Sequence, residues 1–375
     1  MSICAMPAKS IAAVLLVTSS ALILAAHPAA ADAVSDARAY VEQASKPNPP
    51  WDGPTTGPRA TAGKTLIYVS ADQRNGGARG VGEGVKEAAE KIGWTFRLID
   101  GQGTVSGRST AIDQAIASKP SAIILGAVDA NEQIAGLEKA AQQGIVILGW
   151  HAAAKPGPDE KLKLFTNITT DPLAVAKAAA SYAVADSDGK ANAVIFTDSV
   201  YQIAVAKSNA MADIIKACAT CKLLEVVDTP LSDVSTRMPP LTTTLLQRYG
   251  SQWTYALSIN DLTFDFMAPS LAAAGIAGDG HPRNISAGDG SGAAFQRIRQ
   301  NEYQVATVAE PLRLHGWQIV DEANRAFNSQ KDSGYVAPPH LFLPSNIKFD
   351  GGAKDVYDPD NGYTDAYLKI WGAGS

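Results

Sequence analysis

Short apolar runs alternate with amphipathic stretches between residues 64 and 347, at a spacing of about twenty-five to thirty residues. The runs at 65–70, 95–100, 122–126 and 145–149 are rich in β-branched and aliphatic residues, and helical spacing of apolar residues follows each of the first three. Strands that are apolar on both faces are typical of parallel sheets covered by helices on both sides. The pattern predicts a doubly wound α/β fold.

The same alternation restarts after an irregular segment at 164–170. Helices predicted over 172–185, 204–217, 239–248, 264–273, 293–301 and 312–327 separate strands at 191–197, 223–229, 255–260, 285–289 and 303–309, with a last strand at 340–344 and a short helix at 364–371. Because one layer of about ten parallel strands would be large, we predict two similar doubly wound lobes with a ligand cleft between them. We assign 64–168 plus 311–343 to the N-terminal lobe and 169–310 plus 344–375 to the C-terminal lobe, with the first crossover near 167–171.

The N-terminal segment has a pattern of its own. Lys9 precedes an apolar run at 11–26, and three small residues at 29–31 follow it. This order is typical of a cleaved secretory signal peptide, here residues 1–31, and the run is shorter than a membrane-spanning helix requires. Residues 32–45 are weakly helical, and the five prolines between 45 and 63 predict that 32–63 is an arm or linker. We therefore expect an exported protein, and the resemblance described below implies the periplasm.

Composition limits the possible functions and partners. The chain has 375 residues, a formal net charge of −5 and no run of Lys or Arg, which argues against a nucleic-acid partner. Cys4 would leave with the signal peptide, and Cys218 and Cys221 remain at the end of a predicted helix. A redox motif of the thioredoxin kind would instead open a helix. In an oxidising compartment the pair is expected to form a local disulfide, and no neighbouring Cys or His pair completes a zinc site.

Polar residues follow several of the predicted strands. Asn260, Asp289 and Glu310 stand one strand–helix step apart, so they should meet at one sheet edge, where open α/β sheets bind ligands. The corresponding edge of the first lobe carries Ser70, Asp72, Arg74, Asp129, Trp150 and His151. Taken singly, each has a structural alternative, such as a turn or a helix cap for Asp289. Their shared position favours a ligand held between two polar rims.

Four stretches carry a resemblance to a known family. Asn260-Asp261, Gly288-Asp289-Gly290 and the stretch 306–311 resemble type I periplasmic binding proteins of the ribose- and galactose-class ABC importers, and 119–125 with Val128-Asp129 is similar to the same family's third strand and its loop. The similarity runs in order over about residues 64–347. It implies two lobes, joined by three crossovers, that close on a sugar and deliver it to a membrane permease. It also implies that Asn260, Asp289 and Glu310 bind sugar hydroxyls.

The sequence departs from the ribose pattern inside the pocket. Residues 74–77 read Arg-Asn-Gly-Gly where the ribose type has Asn-Pro-Phe-Phe, and Trp150-His151 replaces Asp-Arg. The Arg expected early in the helix after Thr197 is missing, with Val205 or Lys207 nearby, and Glu310 replaces Gln. We therefore expect stacking on Trp150 and Tyr201, a more acidic site and a sugar or polyol other than ribose. An amino or quaternary-ammonium compound is the alternative ligand.

The sequence favours a binding protein over an enzyme. The glycines between 76 and 84 do not fit G-x-G-x-x-G, and Ser291 is not the centre of a nucleophile elbow. We expect no cofactor, no metal and a monomer whose partners are a small polar ligand and an ABC permease. A transcription regulator of this fold would need a helix-turn-helix, which is not found. The alternative function is a sensor that presents its ligand to a membrane chemoreceptor or kinase.

Overall fold

The computed structural model describes residues 1–2 and 28–373, with side chains from residue 33 onward in the first helix. The predicted signal peptide therefore lies outside the described residues, apart from positions 1–2 and 28–31. The first helix, α1, spans Pro28–Ala44. Among the described residues, no helix combines the length and the apolar character that a membrane crossing requires.

The first lobe is built on a sheet of six strands. Its order is β2-β1-β3-β4-β6-β5, and only β5 runs antiparallel to its neighbour. The strands are β1 Thr65–Ser70, β2 Thr95–Asp100, β3 Ala122–Gly126, β4 Val146–Trp150, β5 Gly157–Asp159 and β6 Leu164–Ile168. The helices between them are α2 Gly76–Lys91, α3 Val105–Ala117 and α4 Ile134–Gln142, the last preceded by a 3₁₀ turn at Ala130–Gln133.

The second lobe repeats this architecture. Its sheet order is β12-β11-β10-β9-β7-β8, with β12 antiparallel to β11. The strands are β7 Asn192–Thr197, β8 Lys222–Asp228, β9 Tyr255–Ser258, β10 Arg283–Ser286, β11 Ala306–Ala309 and β12 His340–Phe342. The helices of this lobe are α5 Pro172–Asp186, α6 Gln202–Ala217, α7 Val234–Tyr249, α8 Leu262–Ala273 and α9 Gly292–Gln300, and the last two helices of the chain, α10 Leu312–Phe327 and α11 Tyr363–Trp371, pack on the first lobe. The two-lobe fold class is confirmed, and Cys218 and Cys221 form the expected disulfide.

Some local predictions of secondary structure were wrong. The helix predicted over 239–248 begins at Val234, so Pro239 and Pro240 lie inside α7 instead of starting it. Val234 and Met238, one turn apart, are both buried in the second lobe's core, and this packing sustains the helix before the prolines. Strand β5 was not predicted, because Gly-Pro-Asp carries no apolar pattern, and the segment 164–170, interpreted as irregular, contains strand β6.

The chain crosses between the lobes at 169–171, at Glu310–Pro311 and at 328–339. Helix α10 packs against α2 in the first lobe. The last strand was predicted in that lobe too, but β12 pairs with β11 in the second sheet, where Leu341 and Phe342 enter the apolar core. The tail then returns: Trp371 of α11 stacks on Trp317 of α10 with ring centroids 5.6 Å apart, so the predicted place of the tail in the C-terminal lobe is corrected.

The N-terminal arm also crosses between the lobes. Helix α1 packs on α5 of the second lobe, with Val34 and Ala37 buried in the shared core. The following segment reaches the first lobe, where the Trp51 ring lies 5.1 Å from Tyr335 and 5.4 Å from Tyr367. The arm predicted at 32–63 is thus a packed part of the fold on both sides.

Candidate ligand-binding site between the lobes

The ends of β9, β10 and β11 are fastened together by Asp261. Its buried carboxylate accepts hydrogen bonds from the amides of Gly290 and Ser291 at 2.8 and 3.0 Å, from the Gln304 amide at 2.7 Å and from the Thr307 hydroxyl at 2.9 Å. Asp261 therefore fixes the turn that carries Asp289.

The three strand-end residues meet, as the order of the strands predicted. The Asn260 amide donates to the Asp289 carboxylate at 2.8 Å, and the Glu310 backbone N–H donates to the Asp289 carbonyl at 3.1 Å. Gly77, at the start of α2 in the first lobe, lies so close that a Cβ there would overlap the Asp289 carboxylate. The two lobes are therefore in contact at this point.

Glu310 is the centre of a buried charged cluster. One carboxylate oxygen lies 2.9 Å from His151 Nε2 and accepts from the Thr170 backbone N–H at 3.3 Å, and the other accepts from Lys207 Nζ at 3.3 Å. Burial acts to raise the pKa of Glu310, but His151 and Lys207 outweigh it, and the pKa is lowered. Glu310 is therefore a carboxylate anion that joins the first lobe, through His151, to the second lobe, through Lys207.

Asp289 is buried beside this cluster and has a different charge balance. Burial raises the pKa of Asp289 to about 6, against the opposing effect of His151 and Lys207. Only the Asn260 amide donates to its side chain among the described residues. Its other carboxylate oxygen is available to a ligand.

Trp150 packs against His151 of the charged cluster. Its indole N–H donates to His315 Nδ1 at 3.1 Å, and its ring stacks on His151 with centroids 3.9 Å apart. Burial lowers the pKa of His315 to about 4, so its Nδ1 can accept this bond at neutral pH. Trp150 itself is fully buried beneath His151.

A cavity of about 430 Å³, counted with its part open to solvent, lies between the lobes at these strand ends. The lining residues are Asn75, Ala127, His151, Tyr201, Ile203, Ala204, Lys207, Leu231, Ile259, Asn260 and Asp289. A second chamber at the mouth of the cleft shares Asn260 and Asp289 with the first and is lined by Arg74 and Arg79 on the first lobe.

The structure thus divides the candidate site residues into two groups. Asp289, Asn260, His151 and Tyr201 line the inner cavity, and Arg74 lines the mouth. The remaining candidates are not among the lining residues; these are Glu310, Trp150, Asp129, Ser70 and Asp72.

Each of these five side chains has another place in the fold. Glu310 and Trp150 lie behind His151, and Ser70 is completely buried. The Asp129 carboxylate accepts from the backbone N–H of Asn131 in its own lobe and of Gln202 in the other, at 2.8 and 3.1 Å. Asp72 pairs with Arg74 at 2.7 Å. Asp129 therefore fastens the closed lobes to each other.

Lys207 and Asn75 line the cavity but were not among the candidates. Lys207 was noted only as a residue near the position of a missing Arg, although its spacing on α6 places it one turn after Ile203 and Ala204. Asn75 caps α2, accepting from the backbone N–H groups of Gly77 and Ala78 at 2.9 and 3.3 Å. For Asn75, the available signal in the sequence was an Asn in the N-cap position before Gly76.

The cluster also has the residue types of a metal site. Ligand atoms of His151, Asp289 and Glu310 lie within 4.8 Å of one another. However, the Lys207 ammonium already lies 3.3 Å from Glu310 and supplies a buried positive charge. A metal ion would have to be desolvated beside this ammonium, so the arrangement fits a charge-balanced network that hydrogen-bonds a polar ligand better than it fits a metal centre.

The chain is similar in sequence to known periplasmic binding proteins. Residues 66–331 match the family model described as periplasmic binding protein domain. The ABC transporter periplasmic-binding protein YphF of Escherichia coli K12 is 26% identical over 145 residues, which are 37% of this chain and 44% of YphF. The match thus spans less than half of that relative.

Two solved structures share the fold over most of the chain. An Agrobacterium vitis ABC transporter solute-binding protein bound with α-D-tagatopyranose has a TM-score of 0.69 and 14% identity, covering 79% of this chain and 99% of its own. The binding component of the arabinose ABC transporter from Shewanella sp. ANA-3 has a TM-score of 0.66 and 16% identity, covering 82% and 97%. Identities this low show the shared fold alone.

Proposed function

The chain belongs to the family of periplasmic binding protein domains, and from that membership we propose that it is the periplasmic binding component of an ABC importer. It captures a small sugar or polyol between its lobes and delivers it to a membrane permease. The observation that carries this proposal is the cavity at the meeting point of the two lobes, lined by polar groups from both. Asn75 and His151 come from the first lobe, and Lys207, Asn260 and Asp289 come from the second.

Several of these groups have hydrogen-bonding capacity left for a ligand. An ammonium has three N–H donors, and Lys207 uses one on Glu310 among the described residues. Asp289 offers a carboxylate oxygen as an acceptor. A donor and an acceptor side by side match a hydroxylated ligand, because each hydroxyl both donates and accepts.

Lobe closure supplies the mechanism. A ligand that contacts both lobes binds the closed form more tightly than the open form and shifts the population towards it. The three crossovers are where the backbone can bend. The contacts of His151 with Glu310 and of Asp129 with the Gln202 backbone N–H span the lobes at 2.9 and 3.1 Å, and they would form as the cleft closes. The closed form would then dock on the permease.

We propose that this site binds its ligand without catalysis. The lining side chains of the inner cavity, within the part of the chain that the structure describes, include no Ser, Cys or Thr that could act as a nucleophile. The structural relatives bound with tagatopyranose and with arabinofuranose are themselves binding proteins by name. Their ligands are monosaccharides, which supports a ligand of that size here.

A thermal-shift screen of the mature protein with sugars, polyols and small amines tests the proposal. A ligand at 100 times its Kd should stabilise the protein by about 2.7 kcal/mol. Asp289→Asn should abolish this shift, whereas Asp113→Asn, on the exposed face of α3 with a side chain 68% exposed, should leave it unchanged. The proposal fails if the screen yields no sugar or polyol, if only amines bind, or if Asp289→Asn responds like the wild type.

A further inference from the structure

Both ends of the chain pass from the second lobe to the first, in addition to the three crossovers. The family model matches residues 66–331, so the N-terminal arm and the C-terminal tail lie outside it. The arm begins with α1 on the second lobe and ends beside α10, where the Asn324 side chain accepts from the Thr61 backbone N–H at 3.1 Å. The tail leaves β12 in the second sheet and ends with α11 in the core of the first lobe.

The arm is attached to the second lobe immediately before it crosses at Pro49-Pro50. The Ser45 carbonyl accepts from the Asn346 amide, just after β12, at 3.0 Å. The Asn48 amide donates to the Tyr357 hydroxyl at 2.7 Å, and Tyr357 is buried in a core cluster of the second lobe. Asn48 is therefore the last anchor on this side.

The arm is attached to the first lobe directly after the two prolines. The Trp51 backbone N–H donates to the Asn361 carbonyl at 3.2 Å. The Trp51 ring lies 5.4 Å from Tyr367, which is buried in the core of the first lobe. Two residues, Pro49 and Pro50, thus separate an anchor on one lobe from an anchor on the other.

The tail crosses beside the arm, at Asp358. The Asp358 backbone N–H donates to the Asp350 carbonyl at 2.8 Å, and Asp350 lies 3.8 Å from His340 of β12 on the second lobe. The Asp358 carboxylate accepts from Arg313 of α10 and from the Tyr363 hydroxyl, both on the first lobe, at 2.9 and 2.8 Å. Asp358 therefore contacts one lobe with its backbone and the other with its side chain.

Both crossings lie against the crossovers about which the lobes would rotate. One small cavity is lined by residues of all four segments: Pro49 of the arm, Pro359 of the tail, Pro311 of the second crossover, and Ala337 and Pro338 of the third. A rotation of the lobes about these crossovers must therefore bend or stretch the arm and the tail as well.

The crossing of the arm has little slack. Proline fixes its own φ near −65° and holds the preceding residue in the extended region, so Asn48 and Pro49 both favour extended backbone. Such a segment already spans about 3.1 Å per residue, against at most about 3.6 Å for a fully extended chain. Over the three steps from Asn48 to Trp51, the difference allows about 1.5 Å of further extension. A larger separation of the two anchors must break a contact on one lobe or the other.

We propose that the arm and the tail form a double strap, consisting of residues 48–51 and 357–361, that restricts the opening of the lobes. The anchors of the strap are formed in the closed arrangement, so they stabilise the closed form in the absence of ligand. A ligand that prefers the closed form then binds more tightly, because more of the protein is ready to receive it. This consequence rests on the proposed function, whereas the restriction of opening is a property of the ligand-free protein.

Hydrogen exchange of the Gln202 amide measures lobe opening without a ligand. This N–H donates to the Asp129 carboxylate of the other lobe at 3.1 Å, and as the first residue of α6 it has no acceptor within its own helix. Opening of the cleft therefore exposes it to exchange. The amide of Ile195, buried in β7 between two other strands, reports global unfolding and is the internal reference.

The variant Pro49→Gly/Pro50→Gly/Asp358→Asn loosens both crossings. Exchange at Gln202, relative to Ile195, should be about two- to ten-fold faster than in the wild type, which is the effect of one net hydrogen bond on the opening equilibrium. Pro47→Gly/Pro54→Gly is the matched control. It changes two prolines of the same arm, each of which lies between contacts with a single lobe, and it should keep the wild-type ratio.

Two results would overturn the strap: an unchanged exchange ratio in the loosened variant, or an equal increase in the control. Because the exchange is measured without ligand, either result leaves the proposed function standing. A thermal-shift screen that yields no sugar or polyol overturns the proposed function and leaves the strap standing.

Discussion

Replacing Glu310 by Gln should destabilise the protein strongly, because it removes the charge at the centre of a buried cluster. The Glu310 side chain is completely buried, and the Lys207 side chain is 3% exposed at a distance of 3.3 Å. Gln keeps the shape of the side chain but leaves the ammonium without its counter-charge. Removing one partner of a buried ion pair costs about 3–5 kcal/mol, and we expect Glu310→Gln to lower the free energy of unfolding by that amount.

Lys207→Met should cost less than Glu310→Gln. The Glu310 carboxylate then keeps His151 at 2.9 Å and the Thr170 backbone N–H at 3.3 Å, so it loses one of three partners. A hydrogen bond to a charged group contributes about 1.5–3 kcal/mol. The double variant leaves no buried ammonium, so its cost should fall short of the sum of the single costs by a coupling energy of about 0.5–3 kcal/mol.

Urea unfolding followed by tryptophan fluorescence measures all three variants at neutral pH. The pKa of Glu310 is lowered from its ordinary 4.5, so its contribution is present above pH 4.5 and is lost as the pH falls through the lowered pKa. The difference between the wild type and Glu310→Gln should therefore shrink on acidification. The exposed Glu302→Gln is the control. Two results would refute this reasoning: a Glu310→Gln cost within about 0.5 kcal/mol, the range of surface substitutions, or strict additivity in the double variant.

Two further predictions concern α10. Burial raises the pKa of Glu322 to about 7, so its contribution to stability is present below pH 4.5 and is lost as the pH rises through 7. Glu322→Gln keeps a polar partner for Ser333. Its free energy of unfolding, measured in urea, should rise relative to that of the wild type as the pH increases from 4.5 to 7. A difference that stays constant over this range would contradict the raised pKa of Glu322. At the contact of α10 with α2, a Cβ on Gly316 would overlap the backbone of Gly84, so Gly316→Ala should cost about 1–3 kcal/mol. Gly292→Ala, whose Cβ would come no closer than 3.5 Å to Asp355, is the control, and equal costs would refute the close-approach argument.

The sequence pattern predicted most of the scaffold because buried parallel strands are apolar on both faces. Strands β1, β2 and β3 and helix α10 have the predicted bounds. Strand topology also brought Asn260, Asp289 and Glu310 together, since parallel strands end at one sheet edge. Strand β12 lies in the second sheet and not in the first, where it was predicted. It is three residues long and no helix follows it directly, so its sequence carries little information on which core it enters.

The direction of the site's side chains was harder to predict than their position. Glu310 and Trp150 stand at the predicted strand ends, yet they are not among the residues that line the cavity, and their side chains contact Lys207 and His315 from distant parts of the chain. The expected acidity was misjudged for the same reason. A count of carboxylates at strand ends does not include the buried Lys207 ammonium, which lies 3.3 Å from Glu310.

The two ends of the chain also determine when the lobes can be completed during synthesis. Helix α1 is made first, but Val34 and Ala37 are buried against α5, which begins only at Pro172. The core of the first lobe, in turn, needs Trp371 near the C-terminus to cover Trp317. The first lobe therefore cannot close its core as soon as its own sheet has been synthesised, whereas α1 and α5 both precede the second sheet in the chain. The first lobe has to wait for the last helix, so the order of folding differs from the order of synthesis, and deleting either end removes part of a core.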